Sequence, residues 1–134
     1  MSIRIEHANI SVRDIEKALR FITTALPEFH IRGGDCIDWL HYGDDDTYIS
    51  LMALSMEAQI GHHSYQDTGV NHIGIVVDNV DAVVARLEAA GYRQDTGPEV
   101  SQWRKRYYFA DDDYQQWEFI EYLTEDPALK NAYE

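Results

Sequence analysis

Two histidines occupy matching places in this 134-residue sequence. His7 lies in Glu6-His7-Ala8-Asn9-Ile10-Ser11-Val12, and His72 in Asn71-His72-Ile73-Gly74-Ile75-Val76-Val77; each stands near the start of a β-branched run. The interval between them is also the interval between Asp14 and Asn79, polar residues that precede an apolar helical period. Further on, Tyr42-Gly43-Asp44-Asp45-Asp46 is echoed by Phe109-Ala110-Asp111-Asp112-Asp113, and Ile49-Ser50-Leu51 falls on Trp117-Glu118-Phe119. Four equivalent positions therefore hold His7, Ser50, His72 and Glu118. Equivalent positions on two packed units converge near the axis between them. Two imidazoles and a carboxylate brought there can take one face of an octahedral divalent ion and leave the rest for water, oxygen or substrate. The same pattern also fits a duplication that carried structural histidines along; the carboxylate at the third matched position narrows that alternative without removing it.

The elements that must position these residues follow from periodicity. Ile3 to Val12 alternates as a strand, with Ile3, Ile5, His7, Asn9 and Ser11 on one face, and neither face is cleanly apolar. Asp14 to Leu26 is an amphipathic helix closed by Pro27, its apolar period carried by Ile15, Leu19 and Ile22. Short strands are expected over 29–32, 36–42 and 47–54, with Gly43 to Asp46 as a hairpin turn. The second half repeats the order: a strand over 71–77, a helix over 79–90 ending at Gly91, and strands over 92–95, 104–109 and 115–123. The expected organisation is a single domain over 1–134, with modules at 1–54 and 69–123, a polar linker at 55–68, and a tail or short helix at 124–134. Each module reads βαβββ. One such unit cannot bury a sheet face alone, so the expected fold is α+β, two modules forming one curved eight-stranded mixed sheet.

Bulk properties limit the partners. With 26% charged and 45% hydrophobic residues, the composition is that of an ordinary globular domain. A net charge of -13 repels phosphate backbones and anionic bilayers, so neither nucleic acid nor membrane is an expected partner. No apolar run is long enough to span a bilayer, and the N-terminus lacks the apolar core of a signal peptide. The lone Cys36 permits no internal disulfide and suits a reducing compartment; the expected location is the cytoplasm.

Three stretches resemble a known family: Glu6 to Val12, Asn71 to Asp78, and Tyr107-Tyr108-Phe109-Ala110-Asp111-Asp112-Asp113 running into Trp117-Glu118-Phe119. They are similar to the glyoxalase/bleomycin-resistance/extradiol-dioxygenase superfamily, also called the vicinal oxygen chelate (VOC) fold, and the likeness covers nearly the whole chain. It implies that the curved sheet closes around a cavity and that the ligands come from the first and last strands of each module, hence His7, His72 and Glu118 around one divalent metal: Fe(II) first, with Mn, Ni or Zn as alternatives. It also implies a homodimer and a small-molecule substrate that chelates through neighbouring oxygens. Two departures stand out. Relatives often carry Asp-Pro-Asp-Gly where this chain has Asp111-Asp112-Asp113-Tyr114, which changes a turn. The fourth ligand position, often Glu, Gln or His in lyases and epimerases, is Ser50, whose neutral hydroxyl is a weak donor. The remaining two-His-one-carboxylate set resembles that of extradiol dioxygenases and fosfomycin-modifying transferases, so a dioxygenase-like enzyme is the leading expectation. A glyoxalase I-like lyase or isomerase and a metal-free, drug-binding protein of the same fold are the alternatives. Most extradiol dioxygenases carry two such domains, and no separate residues here mark fosfomycin chemistry.

Glu118 must face the cavity if it binds metal, which puts Ser50, Tyr48 and Met52 on the wall, with Gln116 and Ile120 beside Glu118. In similar proteins the preceding strand adds Arg106 and Tyr108, with Arg104 nearer the mouth. Arg106 in that place favours an anionic substrate through bidentate pairing; the other reading of Arg104-Lys105-Arg106 is a solvated edge strand. Tyr48, Ser50, Arg106 and Tyr108 are thus the expected substrate contacts. Tyr108 is also a candidate for proton handling, as are His62 and His63 if the linker folds over the site. His30 and His41 fall outside the matched set, and Cys36 has no basic neighbour to activate it.

Overall fold

The computed structural model describes residues 2–133, and the chain divides into two compact units, 1–60 and 61–134. The first holds β1 (His7–Val12), α1 (Ile15–Ala25), β2 (His30–Gly34), β3 (Trp39–Gly43) and β4 (Tyr48–Ala53). The second holds β5 (His72–Val76), α2 (Val80–Ala89), β6 (Glu99–Val100), β7 (Arg104–Ala110), β8 (Gln116–Tyr122) and α3 (Pro127–Lys130). These strands form two four-stranded mixed sheets, ordered β1-β4-β3-β2 and β5-β8-β7-β6. In each, the first strand runs parallel to the last and the remaining pairs are antiparallel. No helix among the described residues is long and apolar enough to cross a membrane.

The helices begin where the sequence places caps. The Asp14 carboxylate accepts from the Glu16 and Lys17 amides at 2.8 and 3.3 Å, and Asn79 Oδ1 accepts from Ala82 at 3.1 Å. Such caps contribute about 1 kcal/mol each. Glu121 on β8 adds a second acceptor for α2, taking the Val80 amide at 2.9 Å and fixing the helix start on the sheet. Gly91 follows α2 at φ 96°, a left-handed residue where a side chain would be strained.

Each helix covers one face of its own sheet. In the first unit Val12, Leu40, Tyr42, Ile49 and Leu51 are buried together with Ile15, Phe21 and Ile22 of α1. In the second, Phe109, Trp117 and Phe119 are buried with Val80, Val83 and Leu87 of α2. Full burial of side chains this size contributes roughly 1.5–3 kcal/mol each. Alternation then sends His7, Asn9, Tyr48, Ser50 and His41 to the other face of the first sheet, and His72, Gly74, Gln116, Glu118 and Tyr108 to the other face of the second. The ambiguity of the first strand is thereby settled: Val12 is buried, while His7, Asn9 and Ser11 are exposed.

Three strands depart from expectation. β1 begins at His7, because its partner β4 begins at Tyr48, the residue paired with His7. β3 begins at Trp39 and not at residue 36, because Asp35 Oδ1 holds the Ile37, Asp38 and Trp39 amides in a turn. Residues 92–95 form no strand; Gln94 makes one isolated bridge to Phe109, and pairing with β7 resumes only at Glu99, beyond Gly97 at φ 82°. The repeated acidic turns share one device. Asp44 Oδ1 accepts from the Asp46 and Thr47 amides, and Asp111 Oδ1 from those of Asp113 and Gln115. Burial raises the pKa of Asp111 against the bonds from Trp117 and those amides.

Candidate metal and substrate site

On the open face of the second sheet, β5 and β8 run side by side with His72 opposite Gln116 and Gly74 opposite Glu118, and Tyr108 on β7 flanks Glu118 from the other side. Glu118 is 6% exposed and is the focus of three groups. Its Oε2 lies 3.0 Å from His72 Nε2, its Oε1 accepts from the Tyr108 hydroxyl at 3.0 Å, and Arg106 Nε approaches Oε1 to 3.3 Å. Gly74 stands beside this carboxylate without a side chain; a Cβ there would make ordinary contact with Glu118 Oε2 at 3.5 Å. Burial, the Glu118 charge and the bond to it push the Tyr108 phenol up to about 12, so it remains a donor. Burial opposes the charge on Arg106, but Glu118, Tyr122 and Tyr108 together outweigh it and raise that pKa. Arg106 also meets Glu99 at 3.6 Å.

Behind His72 stands a residue from the linker. The Tyr65 hydroxyl lies 2.9 Å from His72 Nδ1 and donates to Gln116 Oε1 at 2.6 Å, while Gln116 Nε2 donates to Asp95 Oδ2 at 2.8 Å. Tyr65 holds a left-handed φ of 66°, unusual for a non-glycine residue. It is secured there by its amide on Asn71 Oδ1 at 2.6 Å and by Ser64 Oγ on the Asn71 carbonyl at 2.6 Å. Burial, followed by the charges of Glu118 and Asp95, raises its pKa. His62 and His63 are engaged within the same loop, His62 Nε2 with the Val70 carbonyl at 2.7 Å and His63 Nδ1 with Asp67 Oδ2 at 3.1 Å.

Beside these residues the second unit contains a cavity of about 580 Å³, lined by Tyr65, Asp95, Glu99, Tyr108, Tyr114 and Gln116 among others. The size suits a small molecule. Tyr114 occupies φ 63°, the conformation that glycine adopts freely in the commoner form of this turn, and places a phenol on the wall. Nothing in the local sequence pattern signals Tyr65, Asp95 or Tyr114 as wall residues, since each reaches the cavity from a loop.

The open face of the first sheet holds the other expected contacts. His7 stacks on Tyr48 at 4.6 Å between ring centres, and its Nδ1 lies 2.9 Å from Glu6 Oε1. His41 stacks on the same Tyr48 at 4.5 Å, and the Arg32 guanidinium lies 4.2 Å from the Tyr48 ring centre. Ser50 is 2% exposed and takes the Asn9 amide on Oγ at 3.0 Å.

The structure thus brings together His72, Glu118, Tyr108 and Arg106 in the second unit, and His7, Tyr48 and Ser50 in the first. No group of three or more His, Cys, Asp or Glu side chains suited to a metal ion occurs among the described residues, so within the second unit the pair stands as two donors. The donor chemistry fits a divalent ion. A ligating histidine turns its second nitrogen to an acceptor, and both His7 and His72 do so through Nδ1. Arg104, expected near the mouth, is buried and instead donates to the carbonyls of Leu129, Lys130 and Ala132. Its strand β7 is flanked by β6 and β8, so the basic run is not an edge strand.

The family model for the Glyoxalase/Bleomycin resistance protein/Dioxygenase superfamily matches residues 4–119. No curated protein matches the sequence. Among solved structures, a glyoxalase/dioxygenase from Nostoc punctiforme is 18% identical with a TM-score of 0.75, covering 90% of this chain and 92% of that one. The fosfomycin resistance protein FosX from Listeria monocytogenes, complexed with Mn(II) and sulfate, is 20% identical with a TM-score of 0.68, covering 99% and 100%. FosX from Mesorhizobium loti is 19% identical with a TM-score of 0.67, covering 98% and 100%. At these identities the likeness is one of fold.

Proposed function

This chain belongs to the Glyoxalase/Bleomycin resistance protein/Dioxygenase superfamily, and from that premise we propose that it is a divalent-metal-dependent enzyme with His7, His72 and Glu118 as ligands. The observation that carries the reading is His72 Nε2 at 3.0 Å from Glu118 Oε2, on the open face of a sheet beside a cavity of about 580 Å³. His7 completes the set, from the same chain or from a second copy in a homodimer. Fe(II) is the first choice for two imidazoles and a carboxylate, with Mn, Ni or Zn able to take the same donors. The chemistry supplied by such an ion is Lewis-acid polarisation of two neighbouring substrate oxygens.

The chain's own residues do the rest. Tyr108 keeps its proton and holds Glu118 in place. Arg106, with Glu118 shared between it and the ion, offers positive charge to an anionic substrate. Tyr48 and Ser50 present a ring and a hydroxyl on the face that carries His7. A dioxygenase-like reaction is favoured over a lyase because the fourth position carries no strong donor: Ser50 is neutral, and its oxygen already accepts from Asn9. The exposed thiol of Cys36 suits work in the cytoplasm.

The test is elemental analysis of protein purified without a His-tag or chelator, beside its His7→Ala variant. About one Fe, Mn, Ni or Zn per chain, absent from the variant, is the expected result, followed by oxygen uptake with candidate substrates. Protein that takes up none of these metals would exclude the enzyme and leave a metal-free small-molecule binder. Light scattering is expected to give the mass of a dimer.

A further inference from the structure

The wall of the cavity in the second unit is one-sided in its hydrogen bonding. Two of its side chains are well buried, Gln116 at 3% exposed and Tyr108 at 8%. Most of its donors are already engaged. The Tyr65 hydroxyl donates to Gln116 Oε1, Gln116 Nε2 to Asp95 Oδ2, the Tyr108 hydroxyl to Glu118 Oε1, and the Ser64 hydroxyl to the Asn71 carbonyl. The acceptors are not used up in the same way. Asp95 is a carboxylate with about four lone-pair sites, and Gln116 takes one of them. Glu99 meets Arg106 only at 3.6 Å, and the single charge of Arg106 is divided between Glu99 and Glu118. None of the described residues lining the cavity is Lys, Arg or His, while Tyr65, Tyr108 and Tyr114 contribute three rings.

We infer that this cavity binds an organic cation: the protonated amine of a small, ring-bearing molecule, with its N–H groups on Asp95 and Glu99 and its frame against Tyr65, Tyr108 and Tyr114. A primary ammonium brings three donors and no acceptor, the complement of a wall whose donors are engaged and whose acceptors are open. Its bonds to the two carboxylates are charge-assisted, and tyrosine faces attract a cation at short range. An anion in the same place would meet two carboxylates and few free donors. The volume of about 580 Å³ leaves room for the frame that carries the amine, and the net charge of -13 draws cations toward the surface. Extended to the metal site, the substrate is a zwitterion, its paired oxygens toward the ion and Arg106 and its amine toward Asp95. That extension rests on the function proposed above; the preference of the cavity for a cation rests on its own wall.

The experiment is an NMR titration of metal-free protein at neutral pH and low salt with three probes of one size: 2-phenylethylammonium, 2-phenylethanol and phenylacetate. The ammonium is expected to bind about tenfold more tightly than the alcohol, with phenylacetate weakest, and to shift the amides around Asp95, Glu99 and Tyr114. The Asp95→Asn, Glu99→Gln double variant is expected to bring the ammonium down to the affinity of the alcohol and to leave the alcohol unchanged. High salt is expected to do the same to the unaltered protein, which keeps the test independent of how the variant folds. Equal affinity for ammonium and alcohol, tightest binding of phenylacetate, a preference that survives both the double variant and high salt, or no binding of the ammonium at millimolar concentration would each overturn the proposal. Elemental analysis separates it from the metal site. Selectivity for the ammonium in protein that takes up no metal would uphold the cavity and remove the metal reading; metal uptake without that selectivity would do the reverse.

Discussion

Opposite the middle of the first strand, one unit sets Ser50 between Asn9 and His41, and the other sets Glu118 between Gly74 and Tyr108. The backbone plan is the same and the chemistry is opposite. In the first unit the Asn9 amide fills the space beside Ser50 and satisfies it, which leaves a neutral, closed patch. In the second unit a glycine leaves that space empty, and a carboxylate can swing to an imidazole on the neighbouring strand. The matched histidines differ in the same sense. His7 lies flat on Tyr48, with only the exposed Glu6 at its Nδ1, whereas His72 is wired through Tyr65 to a carboxylate two bonds further back. A duplicated scaffold has thus kept one half as a platform and made the other the charged half.

That contrast can be broken most forcefully at Glu118. Glu118→Gln or His72→Ala is expected to abolish metal uptake while circular dichroism stays that of the wild type; Ser50→Ala is expected to leave uptake unchanged. Stoichiometric metal in His72→Ala would end the assignment. Next comes His7→Ala, expected to lose metal as well. Mixing it with His72→Ala then sharpens the picture, because metal recovered in the mixture means that a site draws on two chains, and none recovered means that it draws on one. A smaller effect is expected when the first unit is made to resemble the second. Ser50→Glu should tighten Ni(II) or Zn(II) binding, at a stability cost of roughly 1–3 kcal/mol, read by thermal unfolding, because the new carboxylate replaces a buried hydroxyl and leaves the Asn9 amide to be re-satisfied. Unchanged affinity would remove Ser50 from the ligand shell.

The smallest effect concerns Tyr108 in metal-free protein. Its pKa rises from 10.0 to about 12 in the fold, so the folded chain holds the phenolic proton more tightly than the unfolded one. Its contribution to stability is whole below about pH 10 and is lost as the pH climbs through about 12. Tyr108→Phe should lack that part of the alkaline loss; identical alkaline profiles for the two proteins would show that burial and Glu118 do not hold the phenolic proton.

Much of this architecture is legible in the sequence because it is local. Asp14 and Asn79 announce the helices, Asp44 and Asp111 the turns, and alternation puts Ser50 and Glu118 on the faces that the helices do not cover. The matched histidines need only the repeat. What escapes is set by tertiary pairing. Nothing near Ile3 says that the strand waits for His7; the start of β4 decides it. Thr96-Gly97-Pro98 reads as a turn, but it does not say that the paired strand lies after it, at Glu99, and not before it. Tyr65 meets Gln116 across 51 residues from a stretch without period, so no local pattern can mark it. Arg104 and Arg106 share a face of β7, yet one turns to backbone carbonyls and the other to Glu118, a choice made by the last turn of the chain.

That last turn has a practical side. The buried Arg104 guanidinium collects the carbonyls of Leu129, Lys130 and Ala132, with Tyr133 lying against it, so the tail acts as a latch on the strand that carries Arg106 and Tyr108. Proteolytic clipping ahead of Leu129 during purification would strand a buried cation without acceptors. Preparations of uneven C-terminal length would then behave as mixtures, and intact mass is the quality control to run before any assay is compared between batches.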